Sequence, residues 1–131
     1  MAFDKPRFVE KRSDFIKAAA RLGEALSEPE SPMIRDAAIQ RFESTYELAW
    51  KAMKLWLENL DIDARNPRDT LREALKQGLI DDGNGWSGLH ETRNLTSHTY
   101  DEEMARRVYS FIKDHATGLF ETLVKKLESL G

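Results

Sequence analysis

From Ser31 to Leu60 the chain reads as one long amphipathic helix, and no other segment constrains the fold as strongly. Ser31 suits the capping position. Pro32 suits the first helical residue, where its fixed φ is preorganised and its missing N–H leaves no bond unmade. Ile39, Phe42, Tyr46, Ala49, Met53, Trp56 and Leu60 then alternate steps of three and four. That pattern is a single stripe, suited to packing against neighbours at a shallow angle. Glu47 and Lys51 add an i,i+4 pair in the favourable order. At ~1.5 Å per residue the helix is roughly 40 Å long, and a rod of that length needs long partners.

Other segments supply such partners. Phe8, Phe15, Ala19, Leu22 and Leu26 predict a first helix, from near Pro6 to the loop Glu28–Pro32. Asn66-Pro67-Arg68-Asp69 opens a shorter third helix with Leu71, Ala74 and Leu75, and Gly78 ends it. Asp81-Asp82-Gly83-Asn84-Gly85 reads as a turn cluster, followed by a short helix from about Ser87 to Ser97 holding Leu89 and Leu95. Thr99-Tyr100-Asp101-Glu102 reads as a capping box, with Thr99 as the cap and Glu102 reaching back. A last helix then runs to about Leu130, with Met104, Val108, Phe111, His115, Leu119 and Leu123 on one side. That side makes His115 a core or interface residue. No alternating β-branched run or hairpin dipeptide signals a strand. The expected fold is all-α: an antiparallel up-and-down four-helix bundle with an extra short helix, forming a single domain over 1–131.

Composition narrows the function classes. The chain has 131 residues and no cysteine, which excludes a disulfide framework and thiolate metal sites. No apolar run approaches the ~20 residues of a membrane span, and the charged stretch Met1 to Arg12 lacks the marks of a secretory signal. A cytoplasmic location is expected. Net charge is −3 and the pI is near 5.7, unlike the basic domains that coat nucleic acid, although a small site gripping a few phosphates remains compatible. His90, His98 and His115 lack the ligand number and spacing of a metal site, so no metal and no cofactor is expected. Trp50, Trp56 and Leu57 read as packing residues rather than a base-stacking platform. The off-stripe Leu48 and Leu55 suggest a partner helix or subunit.

Arg93-Asn94-Leu95-Thr96-Ser97-His98-Thr99-Tyr100 concentrates the chemistry. On a continuous helix Arg93 and His98 would sit about 140° apart and share no site. A break near Ser97 lets His98 turn towards Arg93 and gathers arginine, asparagine, histidine and tyrosine at one end of the bundle. Those groups suit phosphate handling. Arginine grips two phosphate oxygens and histidine moves a proton near neutral pH. RNA cleavage by its own 2′-hydroxyl needs proton transfer and charge neutralisation, and these side chains supply both. One arginine and one histidine are a thin set, which a two-fold axis would double. Arg106 and Arg107 either widen the phosphate surface or pair with Glu102 and Glu103 on a solvated face. Glu43 and Glu47 are either polar supports near the octapeptide or, more simply, exposed.

The octapeptide resembles the Arg-x4-His-x-Tyr signature of the HEPN superfamily, specifically its HepT-like branch. Ile34-Arg35-Asp36 and Gln40 through Lys51 resemble the second-helix block of nucleotidyltransferase substrate-binding subunits in that branch. Pro67-Arg68, Arg72-Glu73-Ala74, Gly78-Leu79-Ile80 and Trp86 fall where that family has similar residues. The likeness covers roughly Phe15 to Ile112. It implies a four-helix bundle that forms a homodimer, and a minimal nucleotidyltransferase as partner. In the HepT-like branch such pairs behave as toxin and antitoxin, the helical member being a metal-independent ribonuclease silenced by AMP on the signature tyrosine. Carried over by position, Arg93 and His98 would be catalytic, Asn94 and Ser97 supporting, and Tyr100 the modified residue, with RNA or a nucleotide as ligand. Three readings stay open: a ribonuclease, a binding or docking subunit that cuts nothing, and a purely structural helical dimer.

Overall fold

The computed structural model describes residues 3–131. Among them the elements are α1 (Lys5–Ser27), α2 (Pro32–Glu58), α3 (Pro67–Lys76), α4 (Gly83–Leu95), a 3-10 turn (Thr96–His98), α5 (Glu102–Phe111), a π turn (Ile112–Ala116) and α6 (Thr117–Glu128). The architecture is an all-α bundle. A short loop turns the chain back after α1, which lies antiparallel along α2; α6 packs on α1, α5 on α2, and the short pair α3 and α4 on α2 and on each other.

The helix starts follow local chemistry. Asp4, Ser31, Asn66, Asp82 and Asp101 each accept a backbone N–H of the first turn of the helix they precede. Three of those helices place a proline in the first turn. α3 ends at Gly78, whose φ of +77° a side chain rarely adopts. Leu79 N–H then bonds Ala74 C=O and Gly78 N–H bonds Leu75 C=O, which satisfies the last carbonyls of the helix. At the other end of the bundle Arg12 Nη1 donates to the carbonyls of Leu127 and Leu130 at 2.9 and 2.7 Å, tying α1 to the end of α6.

The core contains Ile39, Phe42, Tyr46, Ala49 and Met53 of the α2 stripe. The stripe then drifts: Leu57 is buried, Trp56 is half-buried against Phe3 and Phe8, and Leu60 is exposed. Leu55 is also buried and Leu48 packs against the core. Phe120 joins the layers. Its ring lies 5.9 Å from Phe15 of α1, 6.1 Å from Phe42 of α2 and 5.8 Å from Trp86 of α4.

Three expectations need correction. The turn cluster at Asp81–Gly85 contains the start of α4, because Asp82 caps Gly85 N–H at 2.8 Å. Its glycines answer to space: a Cβ on Gly88 would lie 3.0 Å from the Phe111 ring, and one on Gly85 would meet the Asp82 carboxylate and Leu119. The capping box does not form. Asp101 caps α5, Thr99 instead donates to Thr96 C=O at 3.0 Å, and Glu102 pairs with Arg106 and Arg35. Finally, the last rod buries Ala105, Val108, Tyr109, Ile112, Ala116, Phe120, Leu123 and Leu127, so Phe111 and Leu119 are only half-buried and His115 is exposed beside Phe111.

Candidate functional site

α4 ends where its carbonyls run out of intrahelical donors, and the hydroxyls of the octapeptide take over that role. Thr96 Oγ1 donates to Arg93 C=O at 2.7 Å, Ser97 Oγ donates to Asn94 C=O at 3.2 Å, and Thr99 Oγ1 donates to Thr96 C=O. These bonds tighten the chain into the 3-10 turn Thr96–His98, after which Asp101 starts α5 in a new direction. The break is therefore encoded by hydroxyl spacing, and it separates Arg93 from His98 by a change of backbone path.

The octapeptide side chains fall into two groups. Arg93 turns towards α2. Its Nη1 donates to Thr96 Oγ1 at 3.0 Å and lies 3.6 Å from Glu43, while its Nε lies 3.4 Å from Glu47, close enough for an ion pair but not aligned as a hydrogen bond. Glu47 also accepts Trp50 Nε1–H at 3.0 Å. Both carboxylates are about one third exposed rather than free on the surface, so they support Arg93. Two carboxylates against one guanidinium leave this cluster with a formal charge of −1. His98 and Tyr100 form the second group. Both are exposed, Tyr100 at 88%, and their rings stand edge to face with centroids 6.4 Å apart. No hydrogen bond or ion pair joins Arg93 to His98 among the described residues. Asn94 and Ser97 are exposed.

Cations nearby are already engaged. Arg106 and Arg107 each pair with the glutamate four residues earlier, Glu102 and Glu103, at 2.9 Å on an exposed face. Arg35 is buried to 7% exposure and joins Glu30 at 2.8 Å to Glu102 at 3.5 Å, fastening the start of α2 to the start of α5. A shallow cavity of about 410 Å³ lies beside this clasp, lined by Pro32, Arg35, Asp36, Thr99, Tyr100 and Glu102.

One polar pair escaped the sequence reading. Tyr46 Oη and His90 Nδ1 are 2.9 Å apart, bridging α2 and α4. Burial pushes the Tyr46 phenol well above its ordinary value, with Glu47 adding to the shift and Arg93 and Arg68 opposing it. Burial likewise lowers the His90 imidazole, with Arg68 in the same direction and Glu91 and Glu47 opposing. The residues are 44 positions apart, and Tyr46 carried only its place in an apolar stripe as a signal.

Residues 10–129 match the family described as "Nucleotidyltransferase substrate binding protein like". A curated relative from Haemophilus influenzae, named "Probable ribonuclease HepT", is 49% identical over 82 residues. That match covers 59% of this chain and 56% of the relative, so the chain spans little more than half the length of that protein. A crystal structure from Thermus thermophilus is 37% identical, covers 86% of this chain and 98% of that one, and superposes with a TM-score of 0.80. A second solved structure, from Haemophilus influenzae, is described as revealing the fold of a substrate binding domain of a nucleotidyltransferase. It is 32% identical, covers 96% of this chain and 100% of that one, and gives a TM-score of 0.69.

Proposed function

The chain belongs to the nucleotidyltransferase substrate binding protein like family, and on that premise we propose that it is the helical partner subunit of a minimal nucleotidyltransferase and a metal-independent endoribonuclease acting through Arg93 and His98. The observation that carries this reading is the helix break. The 3-10 turn leaves the His98 imidazole and the Tyr100 phenol accessible just after a half-buried arginine. The 49% identity to a relative named as a ribonuclease supports it.

The chemistry follows from the groups. The 2′-oxygen of RNA bonds to the adjacent phosphorus, its proton passes to an imidazole, and the bond to the 5′-oxygen breaks as that oxygen takes up a proton. A guanidinium offsets the charge that builds on the phosphorane. The products carry a 2′,3′-cyclic phosphate and a 5′-hydroxyl. A homodimer would bring two imidazoles and two guanidiniums to one cleft, allowing one histidine to take the proton and the other to give it. Asn94 and Ser97 support the turn, and Arg106 and Arg107 extend the phosphate-facing side once a phosphate competes with their glutamates.

The test is RNA incubated with the isolated protein in excess chelator. Fragments ending in cyclic phosphate are expected, and intact RNA at every protein concentration sinks the ribonuclease reading. A second reading, a subunit that binds nucleotide or docks the nucleotidyltransferase without cutting, is favoured by the pairing of Arg93 with both Glu43 and Glu47. Under either reading the partner regulates through Tyr100. Its phenol oxygen attacks the α-phosphorus of ATP, pyrophosphate leaves, and the phenol proton is lost. Intact-mass analysis should show one AMP added to the wild type and none to Tyr100→Phe; an adduct on both proteins moves the modification elsewhere.

A further inference from the structure

α3 and α4 do not close against each other along their whole length. Between them lies a groove of about 450 Å³ with walls of Leu71, Leu75 and Ile80 and a rim that includes Arg68, Ser87 and His90. That size is within the range of small-ligand sites, and the lining joins an apolar strip to a larger set of polar groups that also includes Arg72 and Asn84. Three features of the groove point to an occupant.

Arg68 is the first. It sits in the first turn of α3, is exposed, and pairs with no carboxylate among the described residues. Arg72, the other arginine lining the groove, is held by Asp69 at 2.9 Å. An unpaired guanidinium beside an apolar wall is available to a bidentate anion.

His90 is the second. Tyr46 is 1% exposed and its hydroxyl has one partner, His90 Nδ1. A buried phenol proton needs an acceptor, so Nδ1 accepts it and the ring proton resides on Nε2. The Tyr46 bond selects the tautomer, and burial together with Arg68 lowers the basicity of the imidazole, which favours the neutral ring that bond requires. Tyr46 thus anchors Nδ1 of the imidazole in the core and leaves Nε2–H as the free donor of a residue that lines the groove.

Leu75 is the third. It is 44% exposed on the groove wall, a large apolar side chain with no protein neighbour covering it fully. Together the wall, the cation and the oriented donor match the three parts of a nucleotide.

We propose that the α3–α4 groove binds one nucleotide unit, its base against Leu71, Leu75 and Ile80, its phosphate on Arg68 and a hydrogen bond from His90 Nε2–H. Glu91, also on the rim, offers an acceptor for a ribose hydroxyl or a base amino group. The unit has two possible sources. One is a free nucleotide. The other is an RNA strand, since His90 and Arg93 are one turn apart on α4, about 4.5 Å along its axis, and a strand lying in the groove leads to the octapeptide. Neither source requires the protein to cut RNA, so this site stands or falls independently of cleavage.

The experiment is an NMR titration of the wild-type protein with AMP, UMP, inorganic phosphate and a short 2′-O-methyl RNA, which has no hydroxyl free to attack. Saturable shifts at Leu71, Leu75, Ser87 and His90 with the mononucleotides assign a free-nucleotide site. The same shifts only with the oligonucleotide assign a strand subsite. Arg68→Ala and Leu75→Glu, both exposed positions, should each weaken that binding about tenfold or more without lowering the melting temperature. The proposal is overturned by three results: no groove shifts with any nucleotide, shifts with inorganic phosphate confined to Arg68 and equal to those from nucleotide, or both variants binding nucleotide as wild type.

Discussion

Replacing His98 by alanine is expected to lower RNA cleavage in chelator by about 10²- to 10⁴-fold, the usual contribution of a positioned proton carrier, while leaving the fold untouched. The second half of that expectation makes the experiment informative. His98 is exposed, its ring has no hydrogen-bond partner among the described residues, and it lies in a turn held by the hydroxyls of Thr96, Ser97 and Thr99. Surface substitutions of that kind shift stability by about ±0.5 kcal/mol or less. Arg93 offers no such clean test. Removing it leaves Glu43 and Glu47 facing each other one turn apart with no cation between them, so lost activity in Arg93→Ala mixes chemistry with local repulsion. Arg93→Lys keeps the charge and loses the planar fork, and is the better second variant. Wild-type cleavage by His98→Ala removes this imidazole from the chemistry and passes the proton transfer to another group; the reading in which the protein binds or docks without cutting takes over only if the wild type itself leaves RNA intact.

The same contrast explains what was legible in the sequence. α2 was readable from end to end because its cap, its proline and its stripe agree, and local agreement of that kind fixes a helix without reference to neighbours. The final rod was not. Val108, Ile112, Ala116 and Phe120 follow each other in steps of four, which on a regular helix would drift by about 40° per step. The π turn at Ile112–Ala116 has wider turns and takes up part of that drift. A reading that assumes one period throughout therefore chooses the wrong face, and it placed His115 inward when it is exposed. The start of α4 was hidden for a different reason. Glycine has low helix propensity, but the residues at 85 and 88 are set by the close approach of the last rod, which is a tertiary fact.

At the site, sequence spacing located the break before α5 but misassigned its cap. Thr99 and Asp101 are both reasonable capping residues two positions apart; Thr99 turns back to the Thr96 carbonyl, and Asp101 accepts the N–H groups of Glu103 and Met104. Glu43 and Glu47 became partners of Arg93 only when α2 and α4 came together. The Tyr46–His90 bond has the same origin. Each of these depends on two helices meeting, and neither helix carries the information alone.

Phe120 touches both helices of that meeting, and Phe120→Ala is expected to cost about 3–5 kcal/mol, the range for deleting a buried aromatic ring. The ring is 1% exposed and contacts an aromatic partner on each of three other helices: Phe15, Phe42 and Trp86. Edge-to-face and tilted pairs of this kind add to the area term. The neighbours cannot easily collapse into the space, because each is fixed on a different helix. At a chain length of 131 residues the loss corresponds to a fall in melting temperature of roughly 10–20 °C, measured at fixed protein concentration so that any self-association stays constant. Phe120→Leu, which keeps most of the volume, should lose much less. A melting temperature within a few degrees of wild type for Phe120→Ala would show that the four helices are held elsewhere. The α2–α4 contacts that bring Glu43 and Glu47 to Arg93 would then need another explanation.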